Sequence, residues 1–220
     1  MLRLLADDLT GALDATAQFA RLTGPVRVFL EAVDVPNGIP AAFDSASRES
    51  GEREAIIRTA RIAPVLHGGR PAFKKLDSLL RGQPAAEIAT CLRTAGFDHA
   101  IIAPAFPAQG RVTRRGRQFV RQTLGKWQDV GVDLAGNLGR LGLAVVPRRP
   151  GDHAPAGVSL WDACEETDLA DVVVAGRRLS GLVLWCGTED LLRPSWLEAV
   201  HAARHALPGR CWPASDQTTR

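Results

Sequence analysis

A largely parallel α/β sheet with helices on both faces, a three-layer arrangement, is the fold class that the sequence predicts. Three observations predict it. The chain has 220 residues, 45% of them hydrophobic, which is ample for a buried core. It opens as strand, acidic turn, helix and strand. Strand-like apolar runs then alternate with helix-like segments through most of its length, the pattern of a sheet joined by right-handed crossovers.

Residues 2–6 read as a short buried strand that runs straight into Asp7 and Asp8. Asp8 and Thr10 are good helix N-cap types, and Gly11 lets a backbone or a ligand come close. A helix over 12–21 carries Leu13, Ala17 and Ala20 on one face and stops at Gly24-Pro25. Residues 26–30 form the second strand, 34–42 a Pro/Gly-rich loop, and a short apolar segment then ends in Asp44-Ser45-Ala46-Ser47-Arg48. A helix over 51–63 has Glu52 and Glu54 in its first turn, where acids suit the helix dipole. Residues 70–74 are a strand, 85–95 a helix closed by Gly96, and 99–103 a buried strand that ends in Pro104-Ala105-Phe106-Pro107. The basic stretch 111–121 reads as a solvated helix face or a surface turned to a partner domain. A helix over 134–141, strands over 143–146 and 158–162, a helix over 165–175 and a strand over 182–185 follow. A last helix over 194–205 and a frayed polar tail over 208–220 complete the chain.

Composition excludes several functions. A net charge of +3 does not imply a nucleic-acid or membrane partner, and no nucleic-acid module accompanies the arginines of 111–121. Cys91, Cys164, Cys186 and Cys211 form no CxxC pair, so neither a zinc site nor a disulfide framework is expected. His201 and His205 are spaced i, i+4 without a following acidic ligand, so they read as surface residues and no metal site is predicted. The apolar N-terminus meets Asp7 too soon for a signal peptide, and no run is long enough to span a bilayer, so a cytoplasmic protein is expected. Neither a Walker A sequence nor GxGxxG occurs.

The polar residues fall at telling places. Asp7 to Gly11, Ser45 to Arg48, Lys74 to Arg81 and Gln109 to Arg111 each follow a predicted strand. In a parallel sheet, ligands bind beyond the carboxyl ends of the strands, so all four clusters share one edge. Each alone fits an idle turn as well: a helix cap, a surface ion pair, a structural corner. Together they offer cations, carboxylates and hydroxyls to a small anionic, hydroxylated ligand. One of Asp7 and Asp8 is expected to cap the helix while the other orients or deprotonates a hydroxyl. Arg48 offers a fork for a carboxylate or phosphate. Gln109-Gly110-Arg111 offers an amide, a bare backbone and a cation.

Ala-Asp-Asp-Leu-Thr-Gly-Ala at 6–12, Ser47-Arg48, Lys-Lys-Leu-Asp-Ser-Leu-Leu-Arg-Gly at 74–82 and Ala-Pro-Ala-Phe-Pro-Ala-Gln-Gly-Arg at 103–111 stand in an order and spacing that resemble the N-terminal domain of the four-carbon acid sugar kinase family. The resemblance is sharp over 2–121 and fades beyond. It implies an enzyme of two domains that moves the γ-phosphate of ATP, with Mg²⁺, to a hydroxyl of a sugar acid such as threonate or erythronate. The N-terminal domain would hold the acid and the C-terminal domain the nucleotide. By the resemblance, Asp8, Arg48, Lys75, Asp77, Ser78 and Arg81 fall at the acid site, with Asp7, Gln109 and Arg111 beside them. Arg48 with Lys75 or Arg81 would bind the carboxylate, Ser78 a hydroxyl, and Asp8 or Asp77 would act on the attacking hydroxyl.

The sequence also departs from the family. Leu79 and Gln83 stand where Thr and Asn are usual, and Glu189 and Asp190 put acid where a glycine turn is expected. The sequence stops at residue 220, where the family's ATP-binding domain would begin, so residues 1–207 are expected to be one sugar-acid-binding domain, inactive alone, whether as a truncated product, a separately encoded half with an ATP-binding partner, or a remnant. The rival expectation is a small hydroxy-acid binding or sensing module without catalysis, or a degenerate relic.

Overall fold

In the computed structural model, which describes residues 1–36 and 38–192, β1 (Arg3–Ala6), β2 (Arg27–Phe29), β3 (Ala41–Asp44), β4 (Ala72–Lys75), β5 (His99–Ala103), β9 (Val145–Arg148), β10 (Gly157–Trp161) and β11 (Val183–Gly187) form one sheet. Its order is β2-β3-β1-β4-β11-β5-β10-β9, and every neighbouring pair is parallel. Two features of this order matter for function. The chain leaves β1 for β2 and β3 on one side and returns to β4 on the other, so the order reverses between β1 and β4. The last described strand, β11, inserts between β4 and β5.

Helices cover both faces, as expected for a parallel sheet. α1 (Leu9–Thr23) and α5 (Glu166–Gly176) pack on one face, where Leu4, Phe73, Ile101, Trp161 and Trp185 meet Phe19 and Val172. α2 (Glu52–Ile62), α3 (Pro84–Ala95) and α4 (Leu134–Arg140) pack on the other, where Leu5, Phe43, Ala72, Ile102 and Leu184 meet Ile62, Ile88 and Leu138. Alternate residues of one strand point to opposite faces, which is why Leu4 and Leu5 belong to different cores.

That alternation also separates the two lysines that end β4. Lys74 turns to the α3 face and is fully buried against Glu87, with Nζ to Oε2 at 2.8 Å. Lys75 turns to the α1 face and pairs with Glu189, with Nζ to Oε2 at 3.0 Å.

The basic stretch differs from expectation. Instead of a helix face it forms β6 (Arg111–Arg114) and β7 (Arg117–Arg121), which with β8 (Trp127–Asp129) make a three-stranded antiparallel sheet. Arg114 pairs with Arg117 across a two-residue turn in which Arg115 has φ 50° and Gly116 φ 71°. Such a turn needs positive φ at both positions. The Asp162 carboxylate, just past β10, accepts hydrogen bonds from both turn N–H groups at 2.7 and 2.8 Å. This holds Arg115 in a conformation that only glycine adopts freely. The arginines here are engaged with neighbours: Arg117 pairs with Asp129, and the Arg114 guanidinium lies 4.7 Å from the centre of the Trp127 ring.

Among the described residues no helix is long and apolar enough to cross a membrane. Cys91, Cys164 and Cys186 are free thiols, and burial pushes Cys91 up to about 12. Cys211, His201, His205, the expected helix over 194–205 and the tail lie outside the described residues.

Candidate functional site

The reversal of strand order between β1 and β4 leaves a crevice at their carboxyl ends, the place where open α/β sheets bind ligands. Asp7 and Asp8 follow β1, and Asp77 follows β4 two residues beyond its end. Arg48 arrives from the loop after β3, whose backbone is tied to β1 by Ser47 and Arg48 N–H bonds to the Asp7 carbonyl, both 3.0 Å.

Arg48 is the centre of the cluster. Its Nε and Nη2 donate to the two Asp7 oxygens at 2.8 and 2.6 Å. Its Nη1 and Nη2 donate to the two Asp8 oxygens, both at 2.9 Å. Nη1 also lies 3.4 Å from Asp77 Oδ2. One guanidinium thus ties together three carboxylates from two loops. Arg81 grips Asp77 from outside with a second fork, at 3.0 and 2.7 Å, while keeping 62% of its own side chain exposed.

The expected division of labour between Asp7 and Asp8 is corrected. Asp8 both caps α1, accepting from Gly11 N at 2.8 Å, and is the more exposed carboxylate, at 30% against 5% for Asp7. Asp7 is the buried anchor. A side chain at residue 11 would put its Cβ 2.6 Å from Asp8 Oδ1, so the cap geometry itself requires glycine there. The Arg48 donors face protein carboxylates, Asp7, Asp8 and Asp77.

The charges are mutually stabilising. Burial pushes the Asp7 carboxyl up, but its hydrogen bonds from Arg48 and the charges of Lys74 and Arg48 outweigh this and hold it below the usual carboxylate range. Burial also pushes Asp77 up. The Arg81 side chain and backbone N–H, with Arg48, bring it down to about 2. Asp77 is therefore an acceptor that stays ionised, and a weak base. Asp44, behind at the end of β3, is raised by burial and by its acidic neighbours Asp8 and Asp7.

The Asp77 value carries a pH prediction. Its folded pKa lies below its unfolded one, so the stabilisation is complete above the unfolded value and is lost as pH falls through the folded one. Wild type is expected to lose about 1–2 kcal/mol more than Asp77→Asn between roughly pH 4 and pH 2, after allowance for solvent screening. Urea midpoints measured against pH for the two proteins would check this, and parallel curves would contradict it.

Other predicted residues fall as follows. The Ser78 hydroxyl is half-buried and has no protein partner among the described residues, while its carbonyl accepts from Gln118 Nε2 at 2.9 Å. Lys75 borders the cluster: a Cβ at Gly11 would stand 3.7 Å from the Lys75 stem and 3.7 Å from Arg48 Nη2. Gln109 and Arg111 bond to each other, and no described hydrogen bond or ion pair links their side chains to Asp7, Asp8 or Asp77, while the Ala108 N–H between them and β5 donates to Asp190 at 3.4 Å. They follow β5, which β11 separates from β4, so they start roughly 14 Å from the end of β1 at about 4.8 Å per strand.

Three contributors carry roles that a reading of the sequence does not assign. Lys74 and Glu87 form a buried pair beneath the cluster, extended by Ser47 Oγ donating to Glu87 Oε1 at 2.6 Å and by a Ser45–Ser47 hydroxyl contact at 2.8 Å. The signal available was Glu87, a lone acid in an otherwise apolar helix start. Glu189, the third, reaches Lys75 from the 3₁₀ turn Glu189–Leu192 after β11. A cleft of about 370 Å³ adjoins the cluster through Gly82 and is lined also by Glu52, Leu80, Gln83, Asn137 and Arg140. Gly82 has φ 78°, and a Cβ there would lie 3.3 Å from both Asp7 Oδ2 and the Arg48 carbonyl.

Neither ATP nor Mg²⁺ fits this cluster. Asp8 caps the N-terminus of α1, where a phosphate would otherwise sit. The acids of the cluster are turned to guanidinium groups.

Comparison with known proteins places this geometry in context. A family model described as "Sugar-binding N-terminal domain" matches residues 2–134. A D-threonate kinase of Cupriavidus necator is 34% identical over 222 residues, covering 86% of this chain and 52% of that protein. A D-erythronate kinase of Heliobacterium modesticaldum is 33% identical over 138 residues, covering 59% of this chain and 31% of its own. The chain thus spans about half the length, or less, of the curated relatives it matches. A domain of unknown function from Bordetella bronchiseptica, solved with bound citrate as a domain-swapped dimer, shares the fold with a TM-score of 0.70 at 22% identity, covering 94% of this chain and 58% of that one.

Proposed function

The chain belongs to the sugar-binding N-terminal domain family of the four-carbon acid sugar kinases, and from that premise we propose that it is the acid-holding half of an ATP-dependent kinase for a threonate- or erythronate-type acid. The observation that carries the reading is the convergence of Asp7, Asp8 and Asp77 on Arg48 at the reversal of strand order.

In this reading Asp8, the most exposed of the three carboxylates, accepts the hydrogen of the hydroxyl to be phosphorylated and aims its oxygen outward. Asp77 accepts from a second hydroxyl, and its depressed pKa suits orientation better than proton abstraction. Ser78 supplies a hydroxyl with no competing protein partner among the described residues. The exposed Arg81 guanidinium and Lys75 take the acid's carboxylate. Arg48 and the Lys74–Glu87 pair fix these groups in place.

Phosphoryl transfer requires a nucleotide and Mg²⁺ in line with the acceptor hydroxyl. The reading assigns both to a unit beyond the described residues, in the same chain or in a cytoplasmic partner. Calorimetry with threonate and erythronate is the test. Binding by wild type is expected, with a loss of about tenfold or more in Asp8→Asn and in Lys75→Ala. Absence of binding by wild type would refute the reading. The chain of 220 residues supplied only with ATP, Mg²⁺ and acid is expected to show no turnover. Clear turnover would sink the division of labour, while tight acid binding with no turnover in the presence of any nucleotide-binding partner would favour a sensing module.

A further inference from the structure

Lys75 is the cation of the site that a ligand's carboxylate reaches only through another carboxylate. It ends a central strand, with its side chain 6% exposed, and its Nζ donates to the Leu76 carbonyl at 2.9 Å and faces Glu189 at 3.0 Å. Glu189 begins a single 3₁₀ turn that packs against α1, and it stays partly open to solvent at 14%. The ammonium is thus held by the strand, while the acid covering it sits on a short 3₁₀ element, with its pairing oxygen Oε2 buried and the rest of its side chain partly exposed.

The charge balance points the same way. Asp7, Asp8, Asp77 and Glu189 stand against Arg48, Lys75 and Arg81, with Asp44 behind. Acids outnumber cations at a place where the ligand is itself an anion. Of Asp7, Asp8, Asp77 and Glu189, Glu189 alone engages neither Arg48 nor Arg81 in the described ion pairs.

We propose that Glu189 is an internal competitor for the ligand's carboxylate: it covers Lys75 when the acid is absent and is displaced when the acid binds. The inference rests on the reading of this cluster as an acid site. Displacement exchanges one carboxylate–ammonium contact for another, so the ligand's charge gains less there than it would from an uncovered ammonium. Glu189 thereby sets how strongly the site prefers an acid over the corresponding uncharged polyol.

Calorimetry with threonate and with threitol, on wild type, Glu189→Gln and Glu189→Ala, tests this. Both variants are expected to bind threonate about tenfold more tightly, while any threitol affinity stays within about twofold. Unchanged or weaker threonate binding by both variants overturns the inference and leaves the acid site standing. An equal gain for threitol also overturns it, since it would mean a general loosening of the site. Failure of threonate to bind any of the three proteins overturns the acid site and the inference together. Because the expected result is a gain in affinity, a misfolded variant cannot imitate it.

Discussion

Arg48→Met is expected to cost about 3–5 kcal/mol of folding stability at neutral pH, the scale for stripping the partner from buried charge. Arg48 is only 11% exposed in its side chain and contacts Asp7, Asp8 and Asp77 at once. Without it, Asp7 keeps its burial and loses its hydrogen bonds from a cation, so its carboxyl rises. The cost should shrink as pH falls and these acids take up protons. Urea unfolding at pH 7 and at about pH 4.5 would show both effects. Arg48→Lys should fall between, since an ammonium keeps the charge but cannot fork across two carboxylates. A loss under about 1 kcal/mol for Arg48→Met would mean that the cluster behaves as a solvated surface turn.

Glu87→Ala should cost a similar amount, about 3–5 kcal/mol, for a different reason. Lys74 and Glu87 are 0% and 2% exposed in their side chains, so removing the acid leaves an ammonium sealed in the α3 face. Burial pushes Lys74 down, but the charges of Glu87 and Asp7 outweigh it and hold its pKa raised. Replacing both groups together, as Lys74→Met with Glu87→Leu, should restore stability to within about 1 kcal/mol of wild type, because the cost lies in the unpaired charge. A double variant no better than Glu87→Ala would show that the Ser47 contact, and not the ion pair, carries the energy. Acid affinity is expected to fall in Glu87→Ala as well, since Ser47 precedes Arg48 and leans on Glu87.

Much of the fold was legible because the β–α alternation of this chain is strong. β1 falls within the predicted strand 2–6 and β5 coincides with 99–103, and the polar clusters stand at or just beyond the ends of their strands. The hairpin at 111–121 was not legible. Its turn pairs Arg with Gly where Asn or Asp with Gly is the usual signature, and the partner that makes an arginine acceptable there, Asp162, lies 47 residues away. The site was legible as a set of loops but not as a geometry. Periodicity tells which residues follow strands, and the order of strands in the sheet decides which loops meet. Nothing in the local sequence says that β11 lies between β4 and β5. That one placement brings Glu189 to Lys75 and puts one more strand between β4 and the loop that carries Gln109 and Arg111. The duties within the cluster were hidden for a related reason: Asp7 and Asp8 are adjacent, and only backbone direction decides which is sealed.

The position of β11 also bears on how the molecule is made. Strands 72–75 and 99–103 never pair with each other; each waits for 183–187 to fill the gap between them. During synthesis their facing edges stay open while more than eighty further residues are added. Lys75 likewise meets its described acidic partner only when residue 189 has emerged. The middle of this domain is therefore the last part to close, and the stretch with the clearest ancestry is not a unit that completes itself.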